Sequence, residues 1–242
     1  MTSHYGHKSY QPHILVQLIH KTFLDILRPY FTSTCFWINQ FFFFFYRNLY
    51  SHRFVIPLDI DEVIVPVKDK KWTQLIKRII SNDPKVLQKY ASLSAPNVFF
   101  FNLDSNNSVY RNNALMLNNV QRLNTFSKPG LAVKSFISVN TSLAIFNHYS
   151  LFPLYPKMKK NALIHHSLAQ LNHYRSNCPH RSKVCKQLTK GFKNDKILKK
   201  YQSPLLARIK KVEESLNLTL LDNESKSEWP LLQVVDNVCK SA

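Results

Sequence analysis

The chain has 242 residues, of which 45% are hydrophobic and 13% aromatic, a composition typical of a globular protein and inconsistent with a disordered one. Its 33 Lys and Arg against 14 Asp and Glu give a net charge of +19, which suggests an acidic partner such as nucleic acid, an anionic membrane surface or a phosphorylated substrate. The sequence has neither zinc-finger spacing nor a glycine-aromatic RNA-binding signature. A solvated basic surface is therefore the favoured interpretation of the charge, and no nucleic-acid partner is expected.

The first 45 residues show no secretory signal and no convincing membrane span. The apolar segment 13–27 is interrupted by His20, Lys21 and Asp25, and it lacks a small-residue cleavage site. Residues 29–46 are uncharged, but the polar side chains within this window make it a poor transmembrane segment.

A strand–turn–strand unit is predicted from Phe54 to Pro66. The apolar "FVIPL" at 54–58 indicates a short buried strand, and "VIVP" at 63–66 indicates a second one. The following "KKWTQLIKRIIS" predicts an amphipathic helix. Its apolar face is Trp72, Leu75, Ile76 and Ile79.

Further strands are predicted at 95–103 and, as a pair broken at Asn140, within 131–149. The last third of the chain is predicted to be helical, with a helix start at Ser203 and Pro204. The predicted buried face of that helix is Leu205, Leu206, Ile209, Val212 and Leu216. Mixed strands and helices with an acidic cluster at a strand end predict an α/β layered fold, in which sites gather beyond the strand ends.

Three carboxylates, Asp59, Asp61 and Glu62, directly follow the first buried strand, where burial makes their charge costly unless it is compensated. Two carboxylates at i and i+2 suit a hard divalent cation such as Mn²⁺ or Mg²⁺, which takes oxygen ligands and keeps positions for phosphate oxygens. The alternative is an exposed acidic turn with ion pairs to Lys68 or Lys70, because an isolated D-x-D motif is short and frequent.

Two enzyme classes share this motif. A phosphatase of the haloacid dehalogenase type places D-x-D-x-[TV] after an apolar strand, and "DIDEV" at 59–63 matches it, with a nucleophile first and a general acid second. That class also needs a later lysine and a paired acidic loop, whereas Asp104, Asp195, Asp222 and Asp236 stand apart. A nucleotide-sugar glycosyltransferase needs only a distant His or carboxylate to complete its metal site, which favours the second class.

Several ordered blocks resemble glycosyltransferase family 92. They are "YRNLYSHRFVIPLDIDEVIVP", "KKWTQLI" with Trp72, "PNVFFFNL", "KPGLAVKSFISVNTSLAIFNHYSL", "LNHYRSNC" with the following Cys185, and "KYQSPLLARIKKVEESL". The resemblance covers Tyr46 to Leu218 and is more specific than the D-x-D motif alone. It implies a type-A glycosyltransferase fold, in which a Rossmann-like nucleotide-binding half joins an acceptor half.

The resemblance also implies roles for particular residues. Asp59 and Asp61 become ligands of the metal and the nucleotide-sugar, with Glu62 beside them, and His173 is the favoured third metal ligand. The further implied nucleotide-sugar contacts are Lys134, His148 and Arg175, of which Lys134 and Arg175 could meet phosphate charge. No residue is singled out as the catalytic base.

Alternatives stay open for several of these residues. His148 could be a structural hydrogen-bonding group, and Lys134 could face water from one side of a strand. Spacing alone leaves a disulfide and two free thiols equally open for Cys178 and Cys185. Both match a cysteine-bearing region of the family, and that match favours the disulfide.

The chain departs from the family before Tyr46. In the family the D-x-D motif follows several βα units that bind the base and ribose, and a stem and membrane anchor precede those units, whereas residues 1–45 align with none of this. Residues 1–21 hold no apolar strand followed by a glycine turn, so the nucleotide-binding half is expected to be largely missing. The run Phe41–Phe45 is interpreted as translated intron sequence, because TTT and TTC in a polypyrimidine tract both encode Phe. The alternative is a hydrophobic helix packed against the strand of Phe54.

The predicted organisation is an unaligned segment at 1–45, interpreted as a gene-model artefact, a partial catalytic domain at 46–221 and a polar tail at 222–242. The predicted function is metal-assisted transfer of a hexose, galactose by resemblance, from a UDP-sugar to a glycan or glycoprotein acceptor. Family members are typically Golgi membrane proteins with a lumenal domain, so the same location is expected here, through an anchor absent from this sequence. A chain without its nucleotide-binding half is expected to be inactive alone. The alternative function is a basic, non-catalytic binding protein on a degenerate enzyme scaffold.

Overall fold

In the computed structural model, the described residues are 14–19, 45–49, 51–101, 115–175 and 191–215. They form a mixed α/β structure, as the sequence predicts. The strands, in chain order, are Ile14–Ile19 (β1), Phe54–Asp59 (β2), Glu62–Pro66 (β3), Ser92–Ala95 (β4), Asn97–Phe101 (β5), Gln121–Leu123 (β6), Lys134–Ser138 (β7), Ser142–Ile145 (β8), Ser150–Pro153 (β9), Ala162–Leu163 (β10), Ala169–Arg175 (β11) and Phe192–Asn194 (β12). The helices are Trp72–Asn82 (α1), Val86–Lys89 (α2), Leu115–Asn118 (α3) and Gln202–Ser215 (α4), and a 3₁₀-helix at Ile197–Tyr201 precedes α4.

Two five-stranded sheets make up most of the structure. The first has the order β1-β2-β7-β4-β10, and β7 runs antiparallel to the other four strands. The second has the order β12-β6-β5-β11-β3, in which only β5 and β11 are parallel neighbours. The consecutive strands β2 and β3 belong to different sheets, so the acidic turn between them lies at the junction of the two.

The core explains why β2 is an unbroken apolar run. Successive side chains of a strand point to opposite faces, and residues 54–58 are all buried, so both faces of β2 are covered. Phe54 and Ile56 face the main core cluster, while Val55 packs in a second cluster on the other face. Helix α1 covers the first face with Leu75, Ile76 and Ile79, as its sequence pattern predicts. The indole Nε1 of Trp72 donates to the carbonyl of Ile64 at 2.8 Å, which fixes the start of α1 against β3.

The two strands predicted within 131–149, with a break at Asn140, are confirmed. They are β7 and β8, which do not pair with each other: β7 pairs with β2 and β4, and β8 pairs with β9. The physical reason is burial: every residue of β7 is buried, so β7 needs a neighbour on each edge and belongs in the middle of a sheet.

The predicted helical character of the last third is wrong in part. Residues Ala169–Arg175 form β11, a strand between β5 and β3. Gln170, Asn172 and Tyr174 alternate along one face of β11 and hydrogen-bond to each other, Gln170 to Asn172 at 2.8 Å and Asn172 to Tyr174 at 3.1 Å. These polar side chains can be buried because they satisfy one another's hydrogen bonds. The segment therefore lacks the apolar pattern from which a buried strand is predicted.

Helix α4 begins one residue before the predicted start, but its predicted buried face is wrong. Val212 is 53% exposed, and Glu213 is the residue that α4 buries. The other predicted apolar positions up to Ile209 are half-buried. Leu216 lies outside the described residues.

The N-terminal region contributes a strand that was not expected. Ile14–Ile19 pairs in parallel with β2, from Ile14 opposite Phe54 to Ile19 opposite Asp59. Residues 1–21 thus contain an apolar strand, but no glycine follows it in that segment. Phe45, the last residue of the phenylalanine run, is fully buried and packs with Val55 and Ile137. Phe41–Phe44 lie outside the described residues.

Candidate functional site

The candidate site is the turn between β2 and β3, together with residues that two other strands bring beside it. Asp59 ends β2 and Glu62 begins β3, with Ile60 and Asp61 forming the turn between them. Lys134 starts β7, next to β2 in the first sheet. His173 lies opposite Glu62 in the pairing of β11 with β3. Residues more than 70 positions apart therefore meet at the junction of the two sheets.

Lys134 is fully buried against the acidic turn, which rules out the solvent-facing alternative. Its Nζ lies 3.1 Å from Asp59 Oδ2, 3.4 Å from Glu62 Oε2 and 2.6 Å from Asn147 Oδ1. Three partners match the three donors of an ammonium group, so the buried charge is compensated. The ammonium is therefore an internal counter-ion of the acidic turn.

Glu62 is the buried member of the cluster, with a side chain that is 2% exposed. Its Oε2 accepts the backbone N–H of Asp59 at 3.1 Å, which closes the turn, and its Oε1 lies 3.4 Å from His173 Nδ1. Burial raises the pKa of Glu62 above its ordinary value, and Lys134 only partly opposes the shift. Glu62 therefore shapes the turn from inside.

Asp61 faces outward and meets the two residues at the end of β11. Its Oδ2 lies 3.3 Å from His173 Nε2 and 3.7 Å from Arg175 Nε. Partial burial works to raise the pKa of Asp61, but the neighbouring His173 and the charge of Arg175 bring this pKa below its ordinary value. The turn thus pairs with Lys134, His173 and Arg175, and not with the Lys68 or Lys70 of the exposed-turn alternative.

His148 and Asn147 come from the loop between β8 and β9. His148 Nδ1 hydrogen-bonds the carbonyl oxygen of Val133 at 2.8 Å, and its backbone carbonyl accepts from the Ser135 hydroxyl. Burial lowers the pKa of His148, which favours the neutral ring at physiological pH. This geometry matches the structural alternative for His148. Asn147 was missed by sequence reasoning, because only its tertiary contact with Lys134 distinguishes it from the other Asn residues of the chain.

The side-chain oxygen and nitrogen atoms of the site can be compared with the ligands that a divalent cation requires. Within the described residues, no three His, Cys, Asp or Glu side chains converge in a group that could hold a metal ion. Mg²⁺-type sites, however, commonly use only one or two protein ligands together with waters and substrate phosphates. Two ligands at right angles on such an ion lie about 3 Å apart. The 3.3 Å between Asp61 Oδ2 and His173 Nε2 fits this arrangement, whereas Asp59 directs one oxygen to Lys134.

A search of curated proteins gave no match. A family model described as glycosyltransferase family 92, in contrast, matches residues 15–218. This chain belongs to glycosyltransferase family 92. The match confirms the resemblance found in the sequence and extends it from Tyr46 back to residue 15, so that it includes β1. Family membership makes the chain a glycosyltransferase in general terms, with a sugar donor and a glycan acceptor.

The remaining predictions concern a membrane span and a disulfide. In the part of the chain that the structure describes, no helix has the length and apolarity needed to cross a membrane. Cys178 and Cys185, the predicted disulfide pair, lie outside the described residues.

Proposed function

We propose that this glycosyltransferase transfers a hexose, with galactose as the first candidate, from a UDP-sugar to a glycan or glycoprotein acceptor. The proposal assigns a Mn²⁺ or Mg²⁺ ion to Asp61 and His173. The observation that carries it is the convergence of these two side chains, 3.3 Å apart, at the junction of the sheets. Asp61 remains 38% exposed there, so an ion held by it can also reach a soluble diphosphate.

The bound ion would neutralise negative charge on the departing diphosphate. The protein holds the acidic turn in position. Glu62 accepts the N–H of Asp59 and so fixes the bend of the turn, and Lys134 holds Asp59 from inside. Asp59 lies beside the nucleotide-sugar in this proposal. Arg175, which is 39% exposed, is the cation able to reach phosphate oxygens.

The fold type, the cellular location and the disulfide are proposed from family membership. The two sheets meeting at a carboxylate turn are compatible with a type-A glycosyltransferase fold, of which residues 46–221 would be the part nearest the metal. We place the chain on the lumenal side of the Golgi membrane, where an oxidising environment would allow a Cys178–Cys185 disulfide. Mass spectrometry of the unreduced, protease-digested protein tests that bridge.

Metal-dependent nucleotide binding tests the central assignment. Calorimetric titration of the full chain with UDP should show binding that requires Mn²⁺ and is lost in Asp61→Ala. The matched control is Asp83→Ala, because Asp83 is similarly exposed at 41% and pairs with Lys89 away from the site. UDP binding that persists without Mn²⁺, or that Asp61→Ala leaves intact, would contradict the proposal.

A second candidate function is a basic binding protein on an inactive scaffold. One observation favours it: between Ser105 and Asn194 the sequence has thirteen Lys and Arg residues and not one Asp or Glu. Such a one-signed segment attracts polyanions. Binding to a polyanion such as heparin that weakens steeply with salt, and that Asp61→Ala does not change, would support this candidate over the enzyme.

A further inference from the structure

Arg175 lies where a cation held by Asp61 and His173 would lie. Its Nε donates a hydrogen bond to His173 Nε2 at 2.9 Å and lies 3.7 Å from Asp61 Oδ2. The guanidinium thus contacts both of the side chains that the proposed function assigns to the metal.

The contact with His173 excludes coordination by the same atom. A neutral imidazole nitrogen has one lone pair in the ring plane, and it can accept an N–H or bind a metal ion, but not both at once. Because Arg175 uses the lone pair of Nε2, His173 can become a ligand only after the guanidinium has moved away. Arg175 can move, since its side chain is 39% exposed at the end of β11.

The charges of the site also favour exchange of Arg175 for a divalent ion. Asp59, Asp61 and Glu62 contribute three negative charges when ionised, and Lys134 and Arg175 contribute two positive ones. Lys134 is fully buried and fixed by its three partners, whereas Arg175 is the partly exposed cation. If Arg175 leaves, the remaining four charges sum to −2, which a divalent ion balances.

We propose that Arg175 is an exchangeable counter-ion of this site. It occupies Asp61 and His173 until the metal and the nucleotide diphosphate arrive, and it then moves to the phosphate oxygens. This inference rests on the proposed function. Its consequence is that Mn²⁺ alone binds weakly, because it must displace Arg175 without offering the guanidinium a new partner. UDP supplies that partner, so each ligand strengthens binding of the other, typically by about 5- to 150-fold for coupled sites.

The experiment measures Mn²⁺ affinity of the full chain by electron paramagnetic resonance of the free ion, with and without UDP. Arg175→Gln keeps a polar side chain of similar reach and removes the charge. It should bind Mn²⁺ alone about tenfold more tightly than the unmodified chain and should lose most of the strengthening caused by UDP. Arg175→Lys retains the charge and should stay closer to the unmodified chain. Arg208→Gln, at an exposed position on α4, is the matched control and should change neither value.

The outcomes separate this inference from the function on which it rests. If Mn²⁺ and UDP bind to the unmodified chain but Arg175→Gln leaves the affinity for Mn²⁺ alone unchanged or weakens it, the inference is overturned and the function stands. If Mn²⁺ binds to neither the unmodified chain nor Arg175→Gln, both are overturned, because removing the competing cation should expose the ligands. Thermal melting of each variant establishes that it is folded.

Discussion

Replacing Lys134 by Met tests whether the buried amine holds the acidic turn together. Met keeps the length of the side chain and removes the charge that faces Asp59 at 3.1 Å and Glu62 at 3.4 Å. Removing one partner of a buried ion pair costs about 3–5 kcal/mol, because the other charge stays buried and unpaired. Glu62 accounts for most of this cost, since its side chain is 2% exposed whereas that of Asp59 is 36% exposed.

Urea unfolding followed by circular dichroism measures the effect. At an unfolding slope of ~2 kcal/mol/M, a loss of ~4 kcal/mol lowers the midpoint by ~2 M. The double variant Lys134→Met/Glu62→Gln should recover at least ~1 kcal/mol, because it no longer buries an unpaired charge. Lys77→Met, at an exposed position on α1, should stay within about 0.5 kcal/mol of the unmodified chain.

The pH dependence gives a second reading of the same perturbation. Burial raises the folded-state pKa of Glu62, so its ionisation costs stability as the pH rises through that pKa and costs nothing below its ordinary value. Removing Lys134 enlarges this cost. The stability difference between the unmodified chain and Lys134→Met should therefore shrink as the pH falls. A loss below about 1 kcal/mol, or a loss that Glu62→Gln does not reduce, would refute the reasoning.

Three further predictions concern the structure around the site. Phe136→Ala should lower the free energy of unfolding by about 3–5 kcal/mol in urea, since this ring is fully buried. Phe152→Ala, at an exposed position, should lower it by less than about 0.5 kcal/mol, and equal effects would contradict the core described above. Burial works to raise the pKa of Asp195, but a backbone N–H and the guanidinium of Arg122 at 2.7 Å bring it below its ordinary value. Asp195 thus stabilises the fold above its unfolded pKa and loses that effect as the pH falls through its folded pKa, so the deficit of Asp195→Asn should vanish in acid; a pH-independent deficit would contradict this. Ala132→Gly should be neutral or stabilising by up to ~1 kcal/mol, because Ala132 has φ 52°, where L-residues are strained, and a clear loss of stability would show that the strain is absent.

The local elements around the turn were predictable from sequence. The apolar run at β2 and the 3.6-residue spacing of Leu75, Ile76 and Ile79 on α1 are local patterns, and burial follows directly from them. The acidic turn was predictable for the same reason, since three carboxylates directly after a buried strand need compensation wherever they lie.

The compensating partners were only partly predictable. Resemblance to the family singled out Lys134, His173 and Arg175, but it did not indicate that Lys134 contacts Asp59, Glu62 and Asn147. Strand β11 escaped prediction because Gln170 and Asn172 satisfy each other inside the protein, and a periodicity argument detects apolar residues only.

By itself, the sequence determined that a carboxylate turn follows a buried strand, because hydrophobic periodicity and charge are properties of neighbouring residues. Tertiary structure decided which cations face that turn. Pairing β7 beside β2 buries Lys134, and pairing β11 with β3 sets His173 opposite Glu62. Contacts between residues 75 or 111 positions apart depend on strand order, and strand order minimises exposed apolar surface over the whole domain, so no local pattern encodes it.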